Sequence, residues 1–174
     1  MSTTFQQNLP ADSVTITATG LASLATSSTR IAGYALAAVS NRTNLDITHL
    51  LSGIITVGTT PTTNTQIDVW MIPAHSYTSG TPVWPDVFTG SAGAASVTSL
   101  GILQSCGVPL KSMLVDSATS NRGYPFTQID LAAANGGALP FDYQIFVAHN
   151  TAVNFNSTGG NFTMTYTRVR YIGN

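Results

Sequence analysis

Along much of this chain apolar and polar residues alternate with a period of two, the spacing of a strand with one buried and one solvated face. In Ser13–Thr19, Val14, Ile16 and Ala18 share one face, and Thr15, Thr17 and Thr19 the other. "HLLSGIITVG" (His49–Gly58) is rich in β-branched residues and closes on a glycine, so it predicts another strand. "RIAGYALAAVS" (Arg30–Ser40) has enough alanine for a helix, but Gly33 at its centre and Thr-rich flanks favour a strand. "QIDVWMI" (Gln66–Ile72) sets Ile67, Val69 and Met71 against Asp68, Trp70 and Ile72. Both faces are largely apolar, so this strand should be central or covered.

Pro73–Ser96 breaks the pattern. Its prolines and glycines follow no period, which marks an excursion longer than an ordinary loop. Strand character returns in Val97–Gln104, Pro109–Val115 and Pro125–Leu131, with turns at Asp116–Gly123 and Ala132–Pro140. Asp142–His149 reads as a fully buried strand, and Asn161–Ile172 as its paired or neighbouring strand. In the latter, Phe162, Met164 and Tyr166 oppose Thr163, Thr165 and Thr167. The apolar face then passes to Val169 and Tyr171, which predicts a bulge or a bend. Many short strands, Gly/Pro turns and no long helix indicate an all-β, single-domain antiparallel β-sandwich, jelly-roll-like, over residues 13–174. Residues 1–12 carry no period and read as an extended N-terminal arm.

Composition changes the picture in one respect. Only 7% of the 174 residues are charged, glutamate is missing, and Lys111 is the only lysine. Ordinary soluble proteins have roughly 25% charged residues. A surface of Ser and Thr suits repeated contact with neighbours in an assembly, and equally an extracellular lectin. The six Lys and Arg are dispersed, and phosphate binding needs clustered cations, so no nucleic-acid partner is expected. "MSTTFQQNLPADSV" lacks a basic start and an apolar run, so no secretory leader is expected. No apolar stretch is long enough to predict a membrane span.

Candidate chemistry is sparse. His49, His75 and His149 are isolated from one another and form no zinc motif, so no metal and no cofactor is expected. Glycosidase chemistry needs paired carboxyl groups, whereas the seven aspartates are spread singly. Cys106 is lone, which excludes an internal disulfide and reads as a small buried residue. "HNT" (His149–Thr151) ends a strand, where Asn and Thr side chains fix turns, so His149 reads as a local hydrogen-bonding partner rather than a base. No catalytic residue is expected. Trp70, Tyr77, Trp84 and Phe88 are able to stack on sugar rings; alternatively Trp70 is core and the others anchor the excursion to the body or to a partner. In the arm, Phe5 and Leu9 are the large apolar side chains besides Met1. They read, with Tyr77, Trp84 and Phe88, as candidate partner contacts.

"LPFDYQIFVAHNTAVNFNSTGGNFTMTYTRVRY" resembles the C-terminal part of a group of tailed-phage virion structural proteins. In these a strand runs into a His-Asn-Thr turn and then a final Thr/Tyr-rich strand. "AGYALAAVSNRTNLDITHLLSGIITVG", "TQIDVWMIPA" and "VWPDVFTGS" are similar to earlier segments of the same group. The resemblance implies a jelly-roll-like head decoration (cement) protein or a related tail component, without catalytic residues. Its implied partners are the major capsid protein and copies of itself, with a trimer favoured. Its implied location is the capsid surface of the virion, after synthesis in the host cytoplasm. A carbohydrate-binding tail adhesin domain is the alternative. A single-jelly-roll major coat protein is a third reading, disfavoured by an arm without Lys or Arg.

Overall fold

The computed structural model describes residues 3–6 and 13–173, with side chains for 13–170. Two antiparallel sheets pack face to face, and a third layer covers the outside of one of them.

The first sheet has the order β1 (Thr3–Gln6), β13 (Thr163–Gly173), β5 (Thr48–Thr56), β11 (Gly123–Asp130), and β2 (Ser13–Thr15) also pairs with β13. The second has the order β10 (Val108–Val115), β6 (Thr65–Pro73), β12 (Asp142–His149), β3 (Ala32–Ala35), β9 (Gly93–Ser96), with β4 (Val39–Ser40) on β12. The main core lies between them. Leu51, Ile55, Met164, Tyr124 and Phe126 of the first sheet meet Ile67, Val69, Met71, Ile145 and Val147 of the second. These are the inward positions of the period-two pattern.

The two-faced strand expected at Gln66–Ile72 is covered on its other side too. Trp70 and Ile72 join Ala35, Phe146 and Ala148 in a second core, closed by Phe88, Val97 and Leu103. Phe88 belongs to the excursion, and Val97 and Leu103 to the segment directly after it. Gln144, fully buried on that face, fixes the cover: its amide accepts from Gly90 N–H and donates to the Leu36 and Ser91 carbonyls. Gly33 is the tight point of this packing. A Cβ there would stand 2.2 Å from the Val147 carbonyl oxygen and 2.8 Å from Phe146. Backbone cannot yield as a flexible side chain does, so Gly33→Ala should destabilise by about 3 kcal/mol. A urea titration checks this; a loss under about 1 kcal/mol would show that the sheet adjusts.

Four sequence expectations are corrected. Val97–Gln104 is not a strand: Leu100–Cys106 is helix α1, capped by Ser99, whose hydroxyl accepts from Ile102 N–H. Ala132–Pro140 is not only a turn, because Leu131–Ala134 forms helix α2 under an Asp130 cap. β12 and β13 are not neighbours, since they lie in opposite sheets. Of the bulge or bend expected before Val169, the bulge is absent, because the β13–β5 register runs unbroken from Thr163 to Val169; the expected switch of apolar face is present, with Val169 buried on the face opposite Met164 and Tyr166. Within the expected arm, the backbone of Thr3–Gln6 pairs antiparallel with the end of β13. Leu9 and the side chain of Phe5 lie outside the described residues. No helix among the described residues is long and apolar enough to cross a membrane.

Candidate functional site

Two histidines are buried in the main core, one toward each end of β12. Tyr143 and His149 are separated by about 20 Å of strand. At the Tyr143 end, His49 reaches across from β5. Its Nδ1 lies 2.6 Å from the Tyr143 hydroxyl and its Nε2 3.0 Å from Asp46 Oδ2. A carboxylate only accepts, so Nε2 carries the proton, and the Tyr143 hydroxyl donates to Nδ1. Burial pushes the Tyr143 phenol far above its ordinary range, so it keeps that proton. Burial also lowers the His49 pKa, against the opposing hydrogen bond and charge of Asp46. His49 stacks on Tyr166 at 4.2 Å.

This trio has the form of a catalytic relay, but the His49 and Asp46 side chains are 1% and 0% exposed. No substrate atom reaches the imidazole in this fold. The arrangement links the two sheets through a hydrogen-bonded chain, which engages Asp46 Oδ2 and leaves the buried Asp46 Oδ1 without a partner.

At the other end His149 stacks on Phe155 at 3.7 Å, and Phe155 bridges to Val57 at the end of the opposite sheet. Its Nε2–H donates to the Leu24 carbonyl at 3.1 Å, which leaves Nδ1 to accept from the Thr151 hydroxyl at 3.0 Å. Asn150 Oδ1 accepts from Gln66 N–H and closes the turn. The expected His-Asn-Thr turn is thus present, with His149 in a bonding role. Burial brings the His149 pKa down to about 4. His75 is exposed, and its ring contacts the Val83 carbonyl. Cys106 is half-buried rather than buried, and burial, then Asp86, raises its thiol pKa. Among the described residues no cluster of His, Cys, Asp and Glu could hold a metal.

The candidate contact residues of the excursion separate. Phe88 is buried, edge-on to Phe146 at 5.4 Å. Trp84 is half-buried against the same second core and lies over Gly90, whose φ of +83° suits only glycine comfortably. Trp70 is core. Phe88 and Trp70 are buried and present no free ring face of the kind a sugar platform needs. Tyr77 differs. It sits on a hairpin of β7 (Ser76–Thr78) and β8 (Thr81–Val83), turned by Ser79 and Gly80, both at positive φ.

Tyr77 is 38% exposed and meets Phe141, 54% exposed, in an edge contact at 6.2 Å. Arg42 holds the pair in place. Its guanidinium lies 4.5 Å over the Tyr77 ring, its Nε donates to Asp142 at 2.6 Å, and its Nη1 donates to the Gly80 carbonyl. Leu45, 63% exposed, stands on the adjoining loop. Arg42, Tyr77, Gly80 and Phe141 line one shallow, mainly apolar hollow. Sequence reasoning missed Arg42, Leu45 and Phe141. The visible signal was an isolated large apolar residue beside turn residues, as in "NRTNLD" and "LPFD".

Comparison of the chain with protein-family profiles, with curated proteins and with solved structures finds no match.

Proposed function

We infer that the protein is a non-enzymatic virion structural protein: a decoration, or cement, protein on the outside of a phage head. The observation that carries this reading is the exposed Tyr77–Phe141 pair, clamped by Arg42 between the β7–β8 hairpin and the charge-poor sandwich. Aromatic and arginine groups of this kind anchor protein interfaces. The outer face of the first sheet adds Thr15, Ser52, Ile54, Pro125, Thr163 and Thr165, an uncharged set suited to close packing against neighbours.

The strand order supports a jelly roll as the finer fold. Number β2, β3, β5, β6, β10, β11, β12 and β13 as one to eight. One sheet then reads one-eight-three-six and the other two-seven-four-five. Only the step from β6 to β10 stays within a sheet, and that step contains the excursion. This order is the one expected of a double Greek-key jelly roll, an architecture that recurs in capsid and lectin domains, and it supports that reading of the sandwich.

The partners follow from the same reading: the major capsid protein and further copies of this chain, with a trimer favoured. Images of the purified particle test it. Density for this chain on the head exterior is the expected result, and density at the tail tip would reverse the reading to a tail adhesin. The double variant Tyr77→Ala, Phe141→Ala should reduce head occupancy at least tenfold, since anchors of this kind carry most of the binding energy. Its thermal midpoint should stay near that of the parent. Unchanged occupancy would remove this surface from the interface.

A further inference from the structure

The described cations are nearly all engaged. Arg30 pairs with Asp68, Arg42 with Asp142, and Arg122 with Asp116, and Arg168 and Arg170 have interactions of their own. Among the described residues no hydrogen bond or ion pair holds the Lys111 ammonium. Lys111 stands on the edge strand β10, beside a one-residue bulge at Leu110. It faces a cleft of about 340 Å³ where the α1 cover ends, lined with Arg30, Asp68, Trp70, Gln104 and Ser112 among others.

The bonding capacity of this cleft is lopsided. Asp68 is its only acid, and both its oxygens are taken, Oδ2 by Arg30 at 2.9 Å and Oδ1 by the Ser112 hydroxyl at 2.7 Å. What remains is mostly donors: the Lys111 ammonium and the Arg30 N–H groups beyond Nη1, beside the Gln104 amide, which both donates and accepts. Two cations against one engaged carboxylate leave a net positive cleft that calls for an anionic acceptor. Next to it, sharing Arg30 and Leu100, runs a groove of about 520 Å³ lined with Ser28, Thr29, Thr98, Ser99 and Asn150. Thr98 already donates to Asp86, Ser99 accepts from Ile102 N–H and Asn150 Oδ1 accepts from Gln66 N–H, but hydroxyl oxygens and the Asn150 amide N–H keep capacity to bond further, as sugar hydroxyls require.

We propose that this cleft and groove bind a carboxylated saccharide, with Lys111 and Arg30 holding the carboxylate and the Ser/Thr/Asn groove holding neighbouring hydroxyls. A monoanion fits better than a phosphate dianion, which Asp68 would repel. An acidic peptide added as a strand fits poorly, because Pro109 lacks an N–H and the bulge at Leu110 interrupts the β10 edge. The site shares no residue with the Tyr77–Phe141 surface, so its test stands apart from the capsid reading.

The experiment uses the full chain carrying Trp84→Phe, so that Trp70 alone reports by fluorescence, with calorimetry alongside. The probes are a glucuronic-acid disaccharide, sialyllactose, a neutral glucose disaccharide, an Asp-rich peptide and inorganic phosphate. Saturable binding of at least one carboxylated sugar, weakened by salt and about tenfold by Lys111→Gln, is expected. The neutral sugar should bind at least tenfold more weakly. No carboxylated-sugar signal, equal binding of the neutral sugar, preference for the peptide or phosphate, or indifference to Lys111→Gln would each overturn the proposal. Lys111 is exposed, so its replacement leaves the fold in place.

Discussion

Phe146→Ala is expected to lower the free energy of unfolding by about 4 kcal/mol, within the range for deleting a buried aromatic. Phe146 is fully buried and belongs to the outer face of the second sheet, not to the space between the sheets. It touches Phe88 of the excursion and packs under Gly33. Its loss therefore opens a cavity beneath the cover, and two effects should appear together. Urea unfolding should shift to lower denaturant, and the segment from Trp84 to Cys106 should become sensitive to protease under native conditions. A loss near 1 kcal/mol with no change in proteolysis would mean that the excursion is a surface loop rather than a packed third layer.

The second large effect is acid destabilisation through His149. Its folded pKa is about 4, against an ordinary 6.5, because burial disfavours the imidazolium. Above pH 6.5 the imidazole is neutral in both folded and unfolded chains, and the full stability is present. As pH falls below 6.5 the unfolded chain takes up a proton that the folded chain refuses, so stability drops. The loss levels off once pH passes below the folded value near 4. The whole effect is about 3 kcal/mol. His49 is lowered in the same direction and adds to it. Denaturant titrations at a series of pH values check this: between pH 6.5 and 4 the parent should lose about 1.4 kcal/mol more per pH unit than His149→Gln. Equal slopes in the two proteins would show that the ring takes its proton in place. Protonation has an outlet there, since the Thr151 hydroxyl also lies 2.9 Å from the Val153 carbonyl and could turn to it.

Several elements were legible from residue order alone. Val14, Ile16 and Ala18 against Thr15, Thr17 and Thr19, and Met164 and Tyr166 against Thr163 and Thr165, point inward and outward as their alternation requires. That follows from strand geometry, in which successive side chains face opposite ways whatever the partner strand. The two apolar faces of Gln66–Ile72 likewise announced that something covers the outer side. The Ser79–Gly80 turn was also readable as a hairpin signal, but the surrounding prolines hid the short strands beside it.

The identity of that cover could not be read. Leu100 and Ile102 mimic a strand period, yet the segment from Leu100 coils into α1, because one helical turn lets Leu103 fill the second core while Ser99 caps the amide of Ile102. Partnership was equally hidden: β12 and β13 are consecutive strands, but they lie in opposite sheets. The same holds for the site. Arg42 and Asp142, a hundred positions apart, meet only because Asp142 pairs with Ser40 where β4 joins β12. Periodicity is a local property, settled by the backbone of each segment. Which strands pair, which aromatics are left in solvent and which charges meet depend on contacts between distant segments, and those exist only once the chain has closed its sheets.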